Sequence, residues 1–108
     1  AMALAHEHHN RWGLVSILRV CGLVLAYQGR QEQAVRAFDE AVSLARSMPY
    51  PYAEARALYE SGCVLARKGE SEPARRRLEE ALAIFRRLGS QLYVKRTEQA
   101  LANLESVC

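Results

Sequence analysis

The chain has little of what announces chemistry. Its 108 residues hold one Asp, one Trp and one Thr, and no two carboxylates stand where a buried acid–base pair could form. No nucleophile–base pair or phosphate loop can be assembled, and an enzyme is not expected. Cysteine is limited to Cys21, Cys63 and Cys108, an odd number with no CxxC spacing, which excludes a disulfide-stapled miniprotein. Cys21 and Cys63 fall in apolar helical stretches and read as small buried hydrophobes of a chain kept in a reducing cytoplasm. Pro and Gly number only 3 and 6, so the composition is not that of a disordered or low-complexity segment. No run of 18 apolar residues exists to cross a membrane, and no secretory signal opens the chain. The β-branched Val, Ile and Thr are few beside the abundant Ala and Leu, which excludes a β domain and points to an all-α fold.

Charge narrows the partners only a little. Fifteen basic residues face twelve acidic ones, for a net charge of +3. The surplus lies wholly in residues 55–108, which hold 10 basic and 7 acidic groups. A surplus this small does not demand an anionic partner, and nucleic acid is disfavoured.

An internal repeat organises what is present. When Val15 is set on Ala55, segment 15–54 aligns without gaps on 55–94. The identical pairs are Leu18/Leu58, Gly22/Gly62, Val24/Val64, Leu25/Leu65, Ala26/Ala66, Gly29/Gly69, Glu32/Glu72, Ala34/Ala74, Arg36/Arg76, Glu40/Glu80, Ala41/Ala81 and Arg46/Arg86. These are 12 identities in 40 positions, where this composition yields roughly 3 by chance. The register extends outward, since Ala1-Met-Ala-Leu-Ala falls on Ala41-Val-Ser-Leu-Ala.

Each unit reads as two helices. Trp12, Val15, Leu18, Cys21 or Gly22, and Leu25 form one stripe at helical spacing. Gly29 and its twin Gly69 are natural left-handed stops. The second helix carries Ala34, Phe38, Ala41, Val42 and Ala45, with Ala74, Leu78, Ala81, Leu82 and Phe85 as twins. Ser71 reads as an N-cap with Pro73 in the first turn, Pro49 and Pro51 break the chain between units, and Gly89-Ser90 breaks it one period later. Helices are predicted at about 1–8, 11–28, 31–47, 52–68, 72–88 and 91–106. Gly22/Gly62, Ala34/Ala74 and Ala41/Ala81 mark where paired helices must approach closely, while Phe38/Leu78 and Leu25/Leu65 fill the remaining space. One hairpin cannot bury both its apolar faces, so hairpins stack into an antiparallel helix-hairpin solenoid of about five full helices and an N-terminal stub.

The series of Gly22 or Gly62, Gly seven later, Ala five after that, Phe38 or Leu78 four on, and Ala three beyond resembles the tetratricopeptide repeat. Two departures stand out: the period is 40 instead of about 34, and Cys21 and Ser61 replace the usual Leu before the glycine. Long-period arrays of this style resemble those of bacterial LuxR-type large ATP-binding transcriptional regulators and related signalling proteins. Arg outnumbers Lys 13 to 2, which fits a bacterial GC-rich coding bias. The resemblance implies a right-handed superhelix without catalysis or cofactor, binding a protein, peptide or adjacent domain on a concave face. It further implies that residues 1–108 are one domain cut from a longer array, with repeats 15–54 and 55–94 and partial repeats 1–14 and 95–108.

The concave face of such a solenoid is lined by the first helix of each unit. In this register it comprises Arg19, Leu23 and Tyr27, then Arg56, Tyr59, Cys63 and Arg67, then Arg96, Gln99 and Asn103, with Ser16, Val20 and Glu60 between them. Arg and Tyr suit contact surfaces because each presents a wide planar group at low ordering cost. The peptide-carboxylate clamp of chaperone-binding relatives needs a Lys and Asn pattern that Arg19 and Leu23 do not supply.

Other clusters have plainer readings. His6 and His9 share a helical face but have no third ligand, so no metal is expected. Arg75, Arg76 and Arg77 stand just ahead of Glu79 and Glu80, with Arg75/Glu79 and Arg76/Glu80 one helical turn apart, which predicts a self-neutralising exposed face. Trp12 and Tyr52, in equivalent places, are expected to pack between units. The alternative functions are sensing of a small effector in the groove and self-association. The second follows from the expectation that Trp12, Val15 and Leu18 lack full cover at the array's end, and it predicts a homodimer.

Overall fold

The computed structural model describes residues 2–48 and 50–107, and side-chain surroundings within 13–48 and 50–104. The described residues form five α-helices and no strands: α1 (Met2–Tyr27), α2 (Gln31–Ser47), α3 (Pro51–Lys68), α4 (Ser71–Leu88) and α5 (Gln91–Val107). Each helix packs on the next in sequence, and α3 also touches α1 and α5. The result is a flattened slab of 54 × 32 × 18 Å.

Local chemistry explains the breaks. Gly29, Gly69 and Gly89 all adopt positive φ, at 83°, 92° and 73°. Behind each, the following amide reaches back into the helix: Arg30 to the Leu25 carbonyl at 2.8 Å, Glu70 to Leu65 at 2.9 Å and Ser90 to Phe85 at 3.0 Å. Side chains with a Cβ are disfavoured in this left-handed turn, so these glycines end their helices. At the α2–α3 junction the amide of Tyr50 bonds the Ala45 carbonyl at 2.8 Å, and Pro51 opens α3 where its missing N–H is harmless.

Two boundary expectations are corrected by the same chemistry. No break separates residues 1–8 from 11–28, because α1 runs through from Met2 to Tyr27. His9-Asn10 offers neither a proline nor a left-handed glycine, and Gly13 keeps helical φ. Ser71 is the first residue of α4 and not its N-cap. Glu70 takes that place without a side-chain cap bond: its amide closes the turn after Gly69 on the Leu65 carbonyl, and its own carbonyl accepts the first helical bond, from the Ala74 amide at 3.2 Å.

Close helix approach is equally local in origin. Phe38 and Leu78 are fully buried, as are Ala34, Ala41, Ala74 and Ala81. A Cβ added to Gly22 would stand 2.7 Å from the Phe38 ring, and one added to Gly62 would stand 2.8 Å from Leu78 Cγ and 3.3 Å from the Ala74 carbonyl oxygen. Both glycines lie in mid-helix, where their backbone freedom is a cost of about 1 kcal/mol. They are explained by the large residue that fills the missing side chain's space.

Polar ties run between units, from α2 to α3 and α4. Arg46 pairs with Glu54 at 2.7 Å and Glu80 at 3.3 Å, so Glu80 answers a cation on α2 instead of Arg76 on its own helix. Among the described residues, neither Arg75 nor Arg76 forms the predicted pair with Glu79 or Glu80. Arg77 spans from Asp39 to Ser61, whose buried hydroxyl accepts from Nη1 at 3.1 Å and donates to the Leu58 carbonyl at 3.1 Å. That bridge accounts for a serine where the repeat pattern has leucine.

Candidate protein-binding groove

The first helices of the units, α1, α3 and α5, place the predicted face together. Between α1 and α3 lies a hollow of about 400 Å³. Leu23, Ala26 and Tyr27 form its α1 wall; Tyr59, Glu60, Cys63, Val64 and Arg67 form its α3 wall. Spacings of three and four put each set on one helical face, and Tyr27 at the rim is 93% exposed.

The cations divide into two kinds. Arg19 Nη1 donates to both carboxylate oxygens of Glu60, at 3.0 and 2.8 Å, and Arg56 reaches the same carboxylate at 3.4 Å. These two arginines are occupied in joining α1 to α3. Arg56 Nε is buried without a hydrogen-bond acceptor, and its guanidinium lies 5.2 Å from the Tyr93 ring centroid. Arg67 and Arg96 have no ion pair among the described residues; Arg96 also covers Tyr93, at 5.4 Å. Tyr93 stacks on Phe85 at 5.0 Å and meets Tyr52 and Tyr59 edge-on at 6.0 and 6.1 Å. A cation over a ring face is held with its donors still open to a ligand.

Beside this cluster, burial pushes the Cys63 thiol above its ordinary value, opposed by the neighbouring Tyr59 phenol and by Arg67. Burial likewise raises the Tyr59 phenol. Cys63 thus sits as a neutral, half-buried group in the groove wall, unlike the low-pKa thiols that act as nucleophiles.

Of the ten predicted groove residues, the structure brings Leu23, Tyr27, Tyr59, Cys63 and Arg67 around the hollow, with Arg19 and Arg56 bound to its Glu60. Arg96 joins through Tyr93. Gln99 and Asn103 bond each other at 3.2 Å farther along α5 and do not line the hollow. Tyr93, the centre of the aromatic cluster, was missed by the sequence reading. Its signal was available: it stands one helical turn before Arg96, and its twin in the preceding unit is only Ala53. Tyr52 packs edge-on to Phe85 of its own hairpin at 6.3 Å and to Tyr93 of the next unit at 6.0 Å, the second being the between-unit packing expected of it. Trp12, His6, His9 and Cys108 lie outside the residues whose side chains are described.

Two expectations fail. Cys21 is exposed, not buried. Val15 is buried and Leu18 half-buried, so they are not the uncovered residues of the array's end. The stripe of Val15, Leu18, Gly22 and Leu25 meets α2, its own hairpin partner. The face that another hairpin would cover is a neighbouring stripe of α1, through Ile17, Cys21 and Val24, which is exposed.

The tetratricopeptide repeat profile matches residues 22–87, from Gly22 through the whole of the second unit's Gly–Ala–Leu series. The chain belongs to the tetratricopeptide repeat family. No curated protein and no solved structure matches it. Tetratricopeptide repeats generally mediate protein–protein interaction, and as a rule they are scaffolds without catalysis. In this tetratricopeptide chain, no group of three His, Cys, Asp or Glu side chains able to hold a metal exists among the described residues, and no described helix is long and apolar enough to cross a membrane.

Proposed function

We propose that the chain is a non-catalytic interaction segment of a bacterial cytoplasmic regulatory or signalling protein, holding an acidic, partly apolar peptide or helix of a partner or adjacent domain on its concave face. The observation that carries this reading is the pairing of an apolar hollow, walled by Leu23, Tyr27 and Cys63, with two cations, Arg67 and Arg96, that no described carboxylate neutralises. An apolar anchor in the hollow beside a carboxylate on the arginines is the arrangement by which small contact surfaces obtain both affinity and register. Peptides selected from a random displayed library on the immobilised chain should be enriched in Asp or Glu next to a large apolar residue. Their binding should fall at least tenfold with Arg67→Glu combined with Arg96→Glu. Undiminished binding by that variant removes the groove as the docking surface. Arg19 and Arg56 are unsuitable for the test, because reversing either breaks the Glu60 tie between α1 and α3.

A small effector is the second reading, favoured by the volume of the hollow, which lies at the lower end of ligand pockets. A metabolite that raises the melting temperature of the wild type, but not of Cys63→Trp, would select this reading over the first.

A further inference from the structure

The concave face holds the chain's charge imbalance. Among the described residues it carries Arg19, Arg56, Arg67 and Arg96 against the carboxylate of Glu60, an excess equal to the net charge of +3. Elsewhere in the sequence basic and acidic residues are equal in number. An acidic ligand is therefore drawn to this face and not to the others.

The two arginines without a described ion pair stand far apart on it. Arg96 is the twin of Arg56 in the repeat register, so they sit at one level of the neighbouring parallel helices α5 and α3. Their guanidinium groups lie 5.4 and 5.2 Å from the same ring, that of Tyr93. Arg67 lies about three turns farther along α3, where it lines the hollow with Cys63 and Tyr27. With about 1.5 Å of rise per residue and about 10 Å between helices, the backbones of Arg67 and Arg96 are about 19 Å apart. Each side chain leans back by one turn, Arg96 over Tyr93 and Arg67 towards Cys63, so the separation persists. Tyr59 stands between them, lining the hollow on one side and meeting Tyr93 edge-on at 6.1 Å on the other. One carboxylate cannot reach both cations. The path from the hollow to Arg96 also crosses the ridge of α3, which an extended chain can follow and a straight helix cannot.

Resting on the groove reading above, we infer that the ligand is an extended peptide with two acidic side chains about six residues apart. The first pairs with Arg67, within about two residues of the apolar side chain in the hollow, and the second pairs with Arg96 over Tyr93.

Fluorescein-labelled synthetic peptides test this register on the intact chain. The parent peptide reads Asp, Ser, Phe, three Ser, Asp, and its reverse covers the opposite chain direction. The better binder of the two should weaken at least about threefold when either Asp becomes Asn, or when the distal Asp is moved next to Phe. Arg96→Glu should weaken the parent peptide by a similar factor and leave the peptide without the distal Asp unchanged. Arg67→Glu should do the converse, and the two reversals together should multiply their separate effects, as independent sites do. Arg87→Glu, an equal change of net charge on α4, should alter nothing, and circular dichroism should be unchanged in all three variants. Peptides with one acid that bind as well as the parent overturn the inference. So does either reversal alone removing all that the pair removes, or oligothymidylate competing as well as the parent peptide. Failure of both peptides at millimolar concentration overturns the register, whereas library-selected peptides sensitive to the double reversal would still uphold the groove. Binding undiminished by the double reversal removes the groove reading itself.

Discussion

Helices α1 and α3 occupy the same place in successive units and share Leu18/Leu58, Gly22/Gly62, Val24/Val64 and Leu25/Leu65, yet their outer faces have opposite fates. On α3 the face is small and partly charged, and it disappears beneath α2. On α1 it is bulky and uncharged, and it stays in solvent. Identity between the copies is concentrated on the side that meets the hairpin partner, where geometry is repeated. Divergence is concentrated on the side whose neighbour differs. A repeat therefore reports two things at once: shared packing within a unit, and the particular surroundings of each copy.

The sharpest way to break the comparison is to place the same charge at twin positions. Ala57→Glu should cost about 3 kcal/mol or more, because an unpaired carboxylate would be buried between α2 and α3. Ile17→Glu should change the stability of the single chain by less than about 0.5 kcal/mol. Urea unfolding monitored by circular dichroism measures both, and equal effects would mean that α1's outer face is covered. Next in size are Gly22→Ala and Gly62→Ala. The new methyl would meet Phe38 or Leu78 at under 3 Å, so overpacking of about 1–3 kcal/mol should outweigh the roughly 1 kcal/mol helix-propensity gain. The loss should be larger at Gly22, where the obstacle is a rigid ring and not a branched chain that can rotate. A stabilised Gly22→Ala would refute the close-approach account.

The smallest expected effect contrasts the two cysteines. Cys63's thiol is raised above its ordinary 9.0, chiefly by burial. The fold's preference for the neutral thiol is therefore complete below pH 9 and is lost as pH rises through the higher folded value. The melting temperature should hold steady up to about pH 8.5 and decline above 9, with the decline reduced in Cys63→Ser. At pH 8, Cys21 should react with maleimide faster than Cys63, as mass spectrometry of peptides would show.

Much of this was legible in the residues. The repeat register, the hairpins, the left-handed glycines and the Gly22–Phe38 and Gly62–Leu78 contacts are properties of local spacing and side-chain volume, which a string of letters carries directly. The groove was legible in outline for the same reason: Leu23 and Tyr27, or Tyr59, Cys63 and Arg67, share a helix face by periodicity alone. Tyr93 was not, because its partners Phe85, Tyr52 and Arg56 come from separate stretches of chain. Nor was the choice of Arg46 for Glu80, since Arg76 is nearer in sequence and Arg46 nearer in space. The uncovered face of α1 was misplaced onto Val15 and Leu18 because an apolar stripe shows that a helix needs cover, but not which neighbour provides it.

Composition and periodicity alone thus establish that this chain is all-helical and repeats in the register that sets Gly22 on Gly62, the series by which it resembles tetratricopeptide repeats. Helix propensity, turn chemistry and residue volume act over a few positions, so the letters are enough. The division of its arginines into Arg19 and Arg56, bound to Glu60, and Arg67 and Arg96, without a carboxylate partner among the described residues, emerged from folding. So did the exposure of Cys21 beside the burial of Ser61. Ion pairing and solvent cover depend on which groups from distant segments arrive within a few ångströms, and that is set by how the hairpins stack.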